Sequence, residues 1–257
     1  MPETERLDPH PHSHPHPHPH PHPPEYARPA SADVVAFESL ARSVKDWAPD
    51  LVPGLLRTAD YSGAVLQAYE PVGTDEATDG RQASRETRQA RQVRARIFDN
   101  PAGPRYWVIL DEVVVRRPVG GPHTMAEQLR HIAALVRRHR IIAQVLPLSE
   151  GAHAGLEGPF KLMTFDDAPP VAYVQVAGTG RLSDDPAVIT RCTRTHELLG
   201  TAALPPLASL ALIEQAAEEY ESPEYGNNEY EREADAREEY GREEYRRYEE
   251  PEAAHPL

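Results

Sequence analysis

The spacing of apolar residues along the chain predicts a series of amphipathic helices. Apolar side chains recur at intervals of three and four residues, which places them on one face of a helix. The clearest stripe is formed by Met125, Leu129, Ile132, Leu135 and Val136. Helices are predicted over residues 34–47, 55–66, 81–98, 125–138, 185–199 and 205–219.

Four shorter segments, rich in β-branched and aromatic residues, predict strands. They cover residues 106–115, 141–146, 160–165 and 171–176. The order of helices, strand, helix, strands and helices predicts an α+β fold rather than a regular βαβ series. We expect a helical N-terminal part, a small mixed or antiparallel sheet with packed helices, a helical C-terminal part, and disordered arms at both ends.

Composition divides the 257 residues into two arms and one domain. Residues 1–33, the His/Pro arm, are predicted to be extended because alternating prolines disfavour a helix. Residues 218–257, the acidic arm, are a low-complexity segment of Glu and Tyr with too few aliphatic side chains for a core. Residues 34–217 form the predicted folded domain.

Charge is concentrated in the acidic arm. It contributes −10 of the net charge of −14, whereas residues 34–217 contribute −1. A nearly neutral domain exerts no general attraction on DNA, so direct DNA binding is not expected.

The single cysteine, Cys192, excludes an intramolecular disulfide. No apolar run approaches the roughly 18 residues of a membrane span or resembles a signal peptide, so the expected location is the cytoplasm.

Seven alternating histidines are the candidate metal ligands, since neutral imidazole binds Zn and Ni. They are His10, His12, His14, His16, His18, His20 and His22. In a polyproline helix, side chains two residues apart point about 240° apart, which disfavours one closed tetrahedral site. Weak binding of Zn or Ni at several sites is predicted; the alternative is a hydrophilic repeat without a metal role. Below a pH of about 6.5, the protonated arm is also a candidate partner for the acidic arm.

The predicted helix over residues 81–98 carries a basic face. Arg81, Arg85, Arg88 and Arg96 fall on one side at helical spacing. Such a face is a candidate for binding phosphate or nucleic acid. The alternative is pairing with acidic groups of the same protein, including the acidic arm.

Several phrases in the central part of the chain resemble one known domain. Trp47 is followed by LVPGLLRTADY (residues 51–61), RQARQ (88–92), VILDEVVVRRPVGG (108–121), AEQLRHI (126–132), QVLPLSEGAHAGLEGPF (144–160) and VAYVQ (171–175). Their order over residues 37–216 resembles the effector domain that follows a helix-turn-helix in actinobacterial, WhiJ-type, antitoxin-like transcriptional regulators. Individually these phrases are weak signals, and together they are specific.

The resemblance implies a domain that senses a ligand or contacts a protein partner. The residues implied to serve it are Trp47, Pro53, Gly54, Tyr61, Arg88, Arg91, Gln92, Asp111, Glu112, Arg116, Arg117, His153 and Phe160. The chain departs from the family pattern at Arg57, Ala59 and Gln175, where Gln, Glu and an acid are usual. Residues 1–36 leave no room for a helix-turn-helix, so a regulator without its own DNA-binding domain is expected.

Asp111, Glu112 and His153 are the candidates for acid–base chemistry. Within one strand, Asp111 and Glu112 would point to opposite faces, so Asp111 is predicted to pair with Arg116 or Arg117 instead. His153 lies in GAHAGLEGP, which predicts a tight turn, with a ligand-binding loop as the alternative. The sequence contains no nucleophile elbow, HExxH motif or nucleotide-binding fingerprint, so no catalytic residue is assigned.

Three functions are therefore weighed. The first is a regulatory protein that binds a ligand or a partner, which would be a separate helix-turn-helix regulator or a second copy, with the acidic arm modulating the contact. The second is a Zn- or Ni-binding protein acting through the His/Pro arm. The third is an enzyme of unassigned reaction, with a pocket near His153, Arg88 and Arg91.

Overall fold

The computed structural model describes residues 31–69, 97–176, 179–223 and 225. In these residues a mixed sheet lies between two layers of helices, and the predicted α+β fold class is confirmed. The predictions for the His/Pro arm, for the basic face of residues 81–96 and for most of the acidic arm lie outside the described residues.

Six strands form the sheet. They are β1 (Ser43–Ala48), β2 (Arg105–Asp111), β3 (Ile141–Leu146), β4 (Phe160–Thr164), β5 (Val171–Val176) and β6 (Thr179–Ser183). Their order across the sheet is β3-β2-β1-β4-β5-β6. β1, β2 and β3 are parallel, whereas β4 is antiparallel to β1 and the remaining neighbours are antiparallel. The parallel and antiparallel halves therefore meet at β1.

Helices cover both faces of the sheet. They are α1 (Ser31–Leu40), α2 (Ala59–Tyr69), α3 (Glu112–Arg116), α4 (Gly121–Arg137), α5 (Pro186–Ala202) and α6 (Pro206–Glu221). Val108 and Leu110 of β2 pack in the core cluster that includes α2, α4 and α6. Ile109, between them, packs in the cluster that includes α5. This alternation follows from the pleat of the strand, which sends neighbouring side chains to opposite faces.

Residues 43–48 form strand β1, and the helix predicted over residues 34–47 is wrong beyond Leu40. Val44 and Trp47 are both fully buried, one in each core cluster. A strand covered on both faces need not alternate apolar and polar residues, so its sequence can imitate helical spacing. The physical cause of the error is therefore the double burial of this central strand.

The strand predicted over residues 106–115 ends at Asp111, and the valines that follow are helical. The Asp111 carboxylate accepts a hydrogen bond of 2.9 Å from the Val113 N–H and caps α3. The predicted ion pair of Asp111 is also wrong, since Arg116 pairs with Glu112 and with Glu219 of α6. Capping and burial of the helix override the strand preference of valine.

The C-terminal end of the domain differs in two ways from the prediction. β6, which carries a polar sequence at the sheet edge, was not predicted. α6 continues to Glu221, and Tyr220 is buried, so the first residues assigned to the acidic arm belong to the fold. Among the described helices, none alone is long and apolar enough to span a membrane. α5 and α6 meet at a 74° bend, and only as a pair do they reach the length and composition of a span.

Candidate functional site

The carboxyl ends of the three parallel strands bring loops from three of the matched phrases to one edge of the sheet. β1, β2 and β3 end at Ala48, Asp111 and Leu146. In open parallel sheets, ligands bind outside the carboxyl ends of the strands. β1 lies between parallel β2 and antiparallel β4, so the loop after β1 lies beside the start of β4 at this edge.

Trp47 fixes the glycine-rich loop to β1. Its Nε1 donates a 2.9 Å hydrogen bond to the carbonyl oxygen of Gly155. Its indole also meets the His153 ring edge-to-face, with 5.3 Å between ring centroids. A Cβ at Gly155 would lie 2.6 Å from the indole, so this close approach requires glycine. The loop is therefore held by a defined contact of the sheet.

His153 is oriented by two groups. Its Nδ1 accepts a 3.2 Å hydrogen bond from the Gly155 N–H, which leaves the proton of a neutral ring on Nε2. Nε2 lies 3.8 Å from the Asp111 carboxylate, which is too long for a hydrogen bond but close enough for an electrostatic contact. The fold thus brings together two candidates from separate phrases.

Glu112 also connects residues 108–121 with residues 144–160. Its carboxylate accepts a 3.0 Å hydrogen bond from the Leu148 N–H and a 3.3 Å bond from Arg116 Nε. A 3-10 turn over Leu148–Glu150 follows directly. Glu112 therefore stabilises the start of the loop rather than forming a carboxylate pair with Asp111.

A pocket of about 270 Å³, the first pocket, opens beside Trp47. It lies between the loop after β1 and the adjoining ends of β4 and β5. Its lining combines the apolar Trp47, Leu51 and Phe160 with Asp50, Arg57, Tyr173 and Gln175. The pocket therefore offers hydrogen-bond donors, acceptors and apolar walls at short range.

The floor of the first pocket holds a buried group of charges. Lys161 and Asp46 are register partners across β4 and β1, and Lys161 Nζ lies 3.2 Å from the Asp46 carboxylate. Lys161 is also ion-paired with Glu38 of α1, and Tyr106 Oη donates a 2.6 Å hydrogen bond to Asp46. Burial raises the pKa of Asp46 above its ordinary value, with the Lys161 cation acting in the opposite direction. One largely buried cation thus faces two largely buried carboxylates.

The loop after β1 is positioned by side chains behind it. Tyr61 Oη accepts a 3.2 Å hydrogen bond from the Val52 N–H, and Arg57 Nε donates a 2.6 Å bond to the Val52 carbonyl. Buried Gln128 of α4 accepts from the Thr58 N–H at 2.7 Å and donates to the Leu56 carbonyl at 2.7 Å. These contacts hold Arg57 at the rim and assign Tyr61 a structural role.

Residues 31–215 match the protein family described as Domain of unknown function (DUF5753). The chain belongs to this family. The match covers the whole sheet and both walls of the first pocket. No curated protein and no solved structure matches the chain.

The DUF5753 domain gathers at this edge a subset of the residues that the sequence singled out. They are Trp47, Pro53, Gly54, Asp111, Glu112, His153 and Phe160. Arg116 instead reaches Glu219 of α6 at 2.6 Å, and Arg117 is exposed. Arg88, Arg91, Gln92 and the seven histidines of the His/Pro arm lie outside the described residues. No group of three or more His, Cys, Asp or Glu side chains in the described part of the chain is arranged to hold a metal ion.

Sequence reasoning missed the buried charges. Lys161 stands between buried residues of β4, and Asp46 stands in β1 on the same face as the buried Val44 and Ala48. A charged residue in such a setting is rarely buried unless it is paired, which is the signal that would have indicated them. Their pairing with each other and with Glu38 depends on strand register, which the sequence does not display.

Proposed function

We propose that this DUF5753 domain is the sensing domain of a regulatory protein, and that it binds a small polar ligand or a side chain of a protein partner in the first pocket. The observation that carries the proposal is the buried group of Lys161, Glu38 and Asp46 beneath the pocket. Burying charges is costly, and a well-packed apolar replacement often gives equal stability. Perturbed titratable groups beside a cleft are candidates for function.

The dimensions and lining of the first pocket limit what it can bind. A volume of about 270 Å³ lies below the roughly 300–1,000 Å³ of most sites for drug-sized ligands. The occupant is therefore a small molecule or one inserted side chain. Asp50 and Arg57 provide opposite charges, while Trp47 and Phe160 provide apolar walls. These groups suit an occupant that carries both donors and acceptors on a short apolar frame.

The regulatory part of the proposal is supported by the phrases that resemble effector domains of antitoxin-like transcriptional regulators. Three of those phrases supply the loops at the carboxyl edge of the sheet. The proposed partner is a separate helix-turn-helix regulator or a second copy of the chain. The part of the acidic arm beyond Glu221 follows α6 directly in the sequence, and we expect it to modulate this contact through its charge.

Co-purification from native cells, followed by mass spectrometry for proteins and small molecules, tests the proposal. The tag is placed in the exposed turn near Ala168, away from both arms. Asp50→Lys reverses a charge at the pocket rim, and Glu127→Lys makes the same change on an exposed face of α4.

We expect a stoichiometric helix-turn-helix protein or a defined small molecule with the wild type and with Glu127→Lys, and its loss with Asp50→Lys. Retention of the same occupant by both variants would place the contact elsewhere. A wild-type protein that retains neither kind of occupant would contradict the sensing role.

A further inference from the structure

A second pocket, of about 570 Å³, lies on the other side of Phe160. It is bounded by α5, by β5 and β6, and by the loop that Trp47 holds. Phe160 contributes to the walls of both pockets. The second pocket is not used by the function proposed above.

Small side chains create the space in the second pocket. Its lining includes Ala154, Gly155, Gly158, Ser183, Ala187 and Cys192. Protein interiors are packed about as densely as organic crystals, so a helix and a sheet normally fill the space between them with side chains. Here the residues that face each other are too short to meet, and the volume falls within the range of small-molecule sites.

The body of the second pocket is apolar. Phe160, Val174 and Val188 supply carbon surface, and the buried thiol of Cys192 adds to it. Burial raises the pKa of the Cys192 thiol, so the group stays uncharged at neutral pH. An occupant therefore gains most of its affinity from burying an apolar part.

The mouth of the second pocket carries two cations and one anion. Arg181 and Arg191 line it together with Glu157. Arg191 and Glu157 are 3.4 Å apart, and their side chains are 73% and 78% exposed. Exposed pairs of this kind contribute little to stability, so another anion can replace Glu157 at Arg191. The nearby Asp185 carboxylate already accepts the Ala187 N–H at the start of α5.

We propose that the second pocket binds an amphipathic small molecule with an apolar body and a single anionic head group. The body occupies the space between α5 and the sheet. The head group, a carboxylate or a sulfonate, pairs with Arg191 and takes the place of Glu157, with the Arg181 charge nearby. Arginine suits this role because its planar guanidinium can donate two parallel hydrogen bonds to a carboxylate.

Calorimetry on the full chain at neutral pH tests both halves of the proposal. The probes are decanoate, decanol and decyltrimethylammonium, which share one alkyl chain and differ in head-group charge. We expect decanoate to bind one-to-one, decanol to bind about tenfold more weakly, and the cation to bind most weakly.

Two substitutions, each with a matched control on α5, locate the binding. Ala187→Trp fills the mouth and should abolish decanoate binding, whereas Glu197→Trp, at an exposed position outside the lining, should leave it unchanged. Arg191→Glu should weaken decanoate binding at least about tenfold and remove the preference over decanol, whereas Arg194→Glu should do neither.

Several outcomes would overturn the proposal. These are the absence of binding by all three probes, equal binding of the cation and decanoate, or decanoate binding that survives both Ala187→Trp and Arg191→Glu. Urea unfolding confirms that each variant is folded, and Arg191→Glu, an exposed charge change, keeps the test valid if Ala187→Trp does not fold. Asp50→Lys, at the rim of the first pocket, should not alter decanoate affinity, which separates this proposal from the function proposed above.

Discussion

The two pockets on either side of Phe160 arise by opposite means. The first is polar because strand register places Asp46 beside Lys161 under its floor. The second is apolar because short residues on α5 and the neighbouring strands leave a gap. A fold can therefore create a binding site by burying charge at a position that apolar side chains usually occupy, or by omitting the side chains that would close the core. The first route costs desolvation and the second costs packing contacts.

The two faces of the sheet each bury a titratable group, and the two groups differ in whether they have a hydrogen-bond partner. Asp46 lies on the sheet face covered by α2, α4 and α6 and is bonded to Tyr106 and Lys161. His196 of α5 lies on the other face, edge-to-face against Trp107 at 5.0 Å, and neither ring nitrogen has a hydrogen-bond partner of regular geometry. Burial lowers the pKa of His196 to about 4, with the Lys45 cation adding to the effect and the Trp107 backbone opposing it.

The largest expected effect follows from removing the buried cation. Lys161→Met should lower the free energy of unfolding by about 3–5 kcal/mol, because it leaves two buried carboxylates without their cation. Urea unfolding measures this loss. Lys45→Met is the control, because the Lys45 cation only lies over the Trp107 ring at 5.7 Å and its loss should cost about 1 kcal/mol.

Adding Glu38→Gln and Asp46→Asn to Lys161→Met should recover part of the stability, because both carboxylates become neutral. Equal losses for Lys161→Met and Lys45→Met would show that the first pocket does not depend on a buried ion group.

The second prediction uses pH to compare the two faces of the sheet. Because the pKa of His196 is lowered to about 4 in the folded state, the unfolded state binds this proton more readily. Its contribution to stability is therefore complete above a pH of about 6.5 and is lost as pH falls toward 4, by up to about 3 kcal/mol. Urea unfolding over this pH range should show a shallower decline for His196→Phe than for the wild type.

Asp46 has the opposite effect on how stability depends on pH. Its raised pKa means that the folded state binds the proton more readily, so its contribution to stability grows as pH falls. Asp46→Asn should therefore steepen the decline in acid. Identical pH profiles for the wild type and His196→Phe would mean that His196 is not buried in its neutral form.

The third prediction concerns the loop that separates the two pockets. Gly155→Ala should destabilise the domain by about 1–3 kcal/mol, because the added Cβ would overlap the Trp47 indole. Gly63→Ala is the matched control, since a Cβ there meets nothing within 4 Å on helix α2 and should stabilise by about 0.5–1 kcal/mol. Thermal unfolding should show a lower midpoint temperature for Gly155→Ala and a higher one for Gly63→Ala. Equal changes in midpoint temperature would contradict the close contact of Gly155 with Trp47.

The smallest effect is expected for charges on the surface, which provide the reference for the buried ones. Arg130 of α4 pairs with Glu221 of α6, and both side chains are about half exposed. Arg130→Ala should leave the unfolding midpoint in moderate salt indistinguishable from that of Arg138→Ala, an exposed residue at the C-terminal end of α4. A clear loss of stability for Arg130→Ala alone would show that the α4–α6 contact depends on this pair.

A prediction from the sequence is accurate where the structure depends on residues close together in the chain, and fails where it depends on distant ones. The helix over residues 125–138 is confirmed, because its stripe repeats within one segment. The helix predicted over residues 34–47 is wrong beyond Leu40, because α5 and the opposite helices bury both faces of β1. The resemblance singled out Trp47 and His153 but gave no reason for their contact, which depends on where β1 lies relative to the glycine-rich loop.

Sequence alone predicts the amphipathic helices, the apolar strand segments and the charge difference between domain and acidic arm, because each is a property of neighbouring residues. Three-dimensional packing, in contrast, sets Lys161 against Asp46 and Glu38, buries His196 against Trp107 and leaves Phe160 between two pockets. Those relations join residues far apart in the chain, and they are set by strand order, register and the packing of helices on both faces of one sheet.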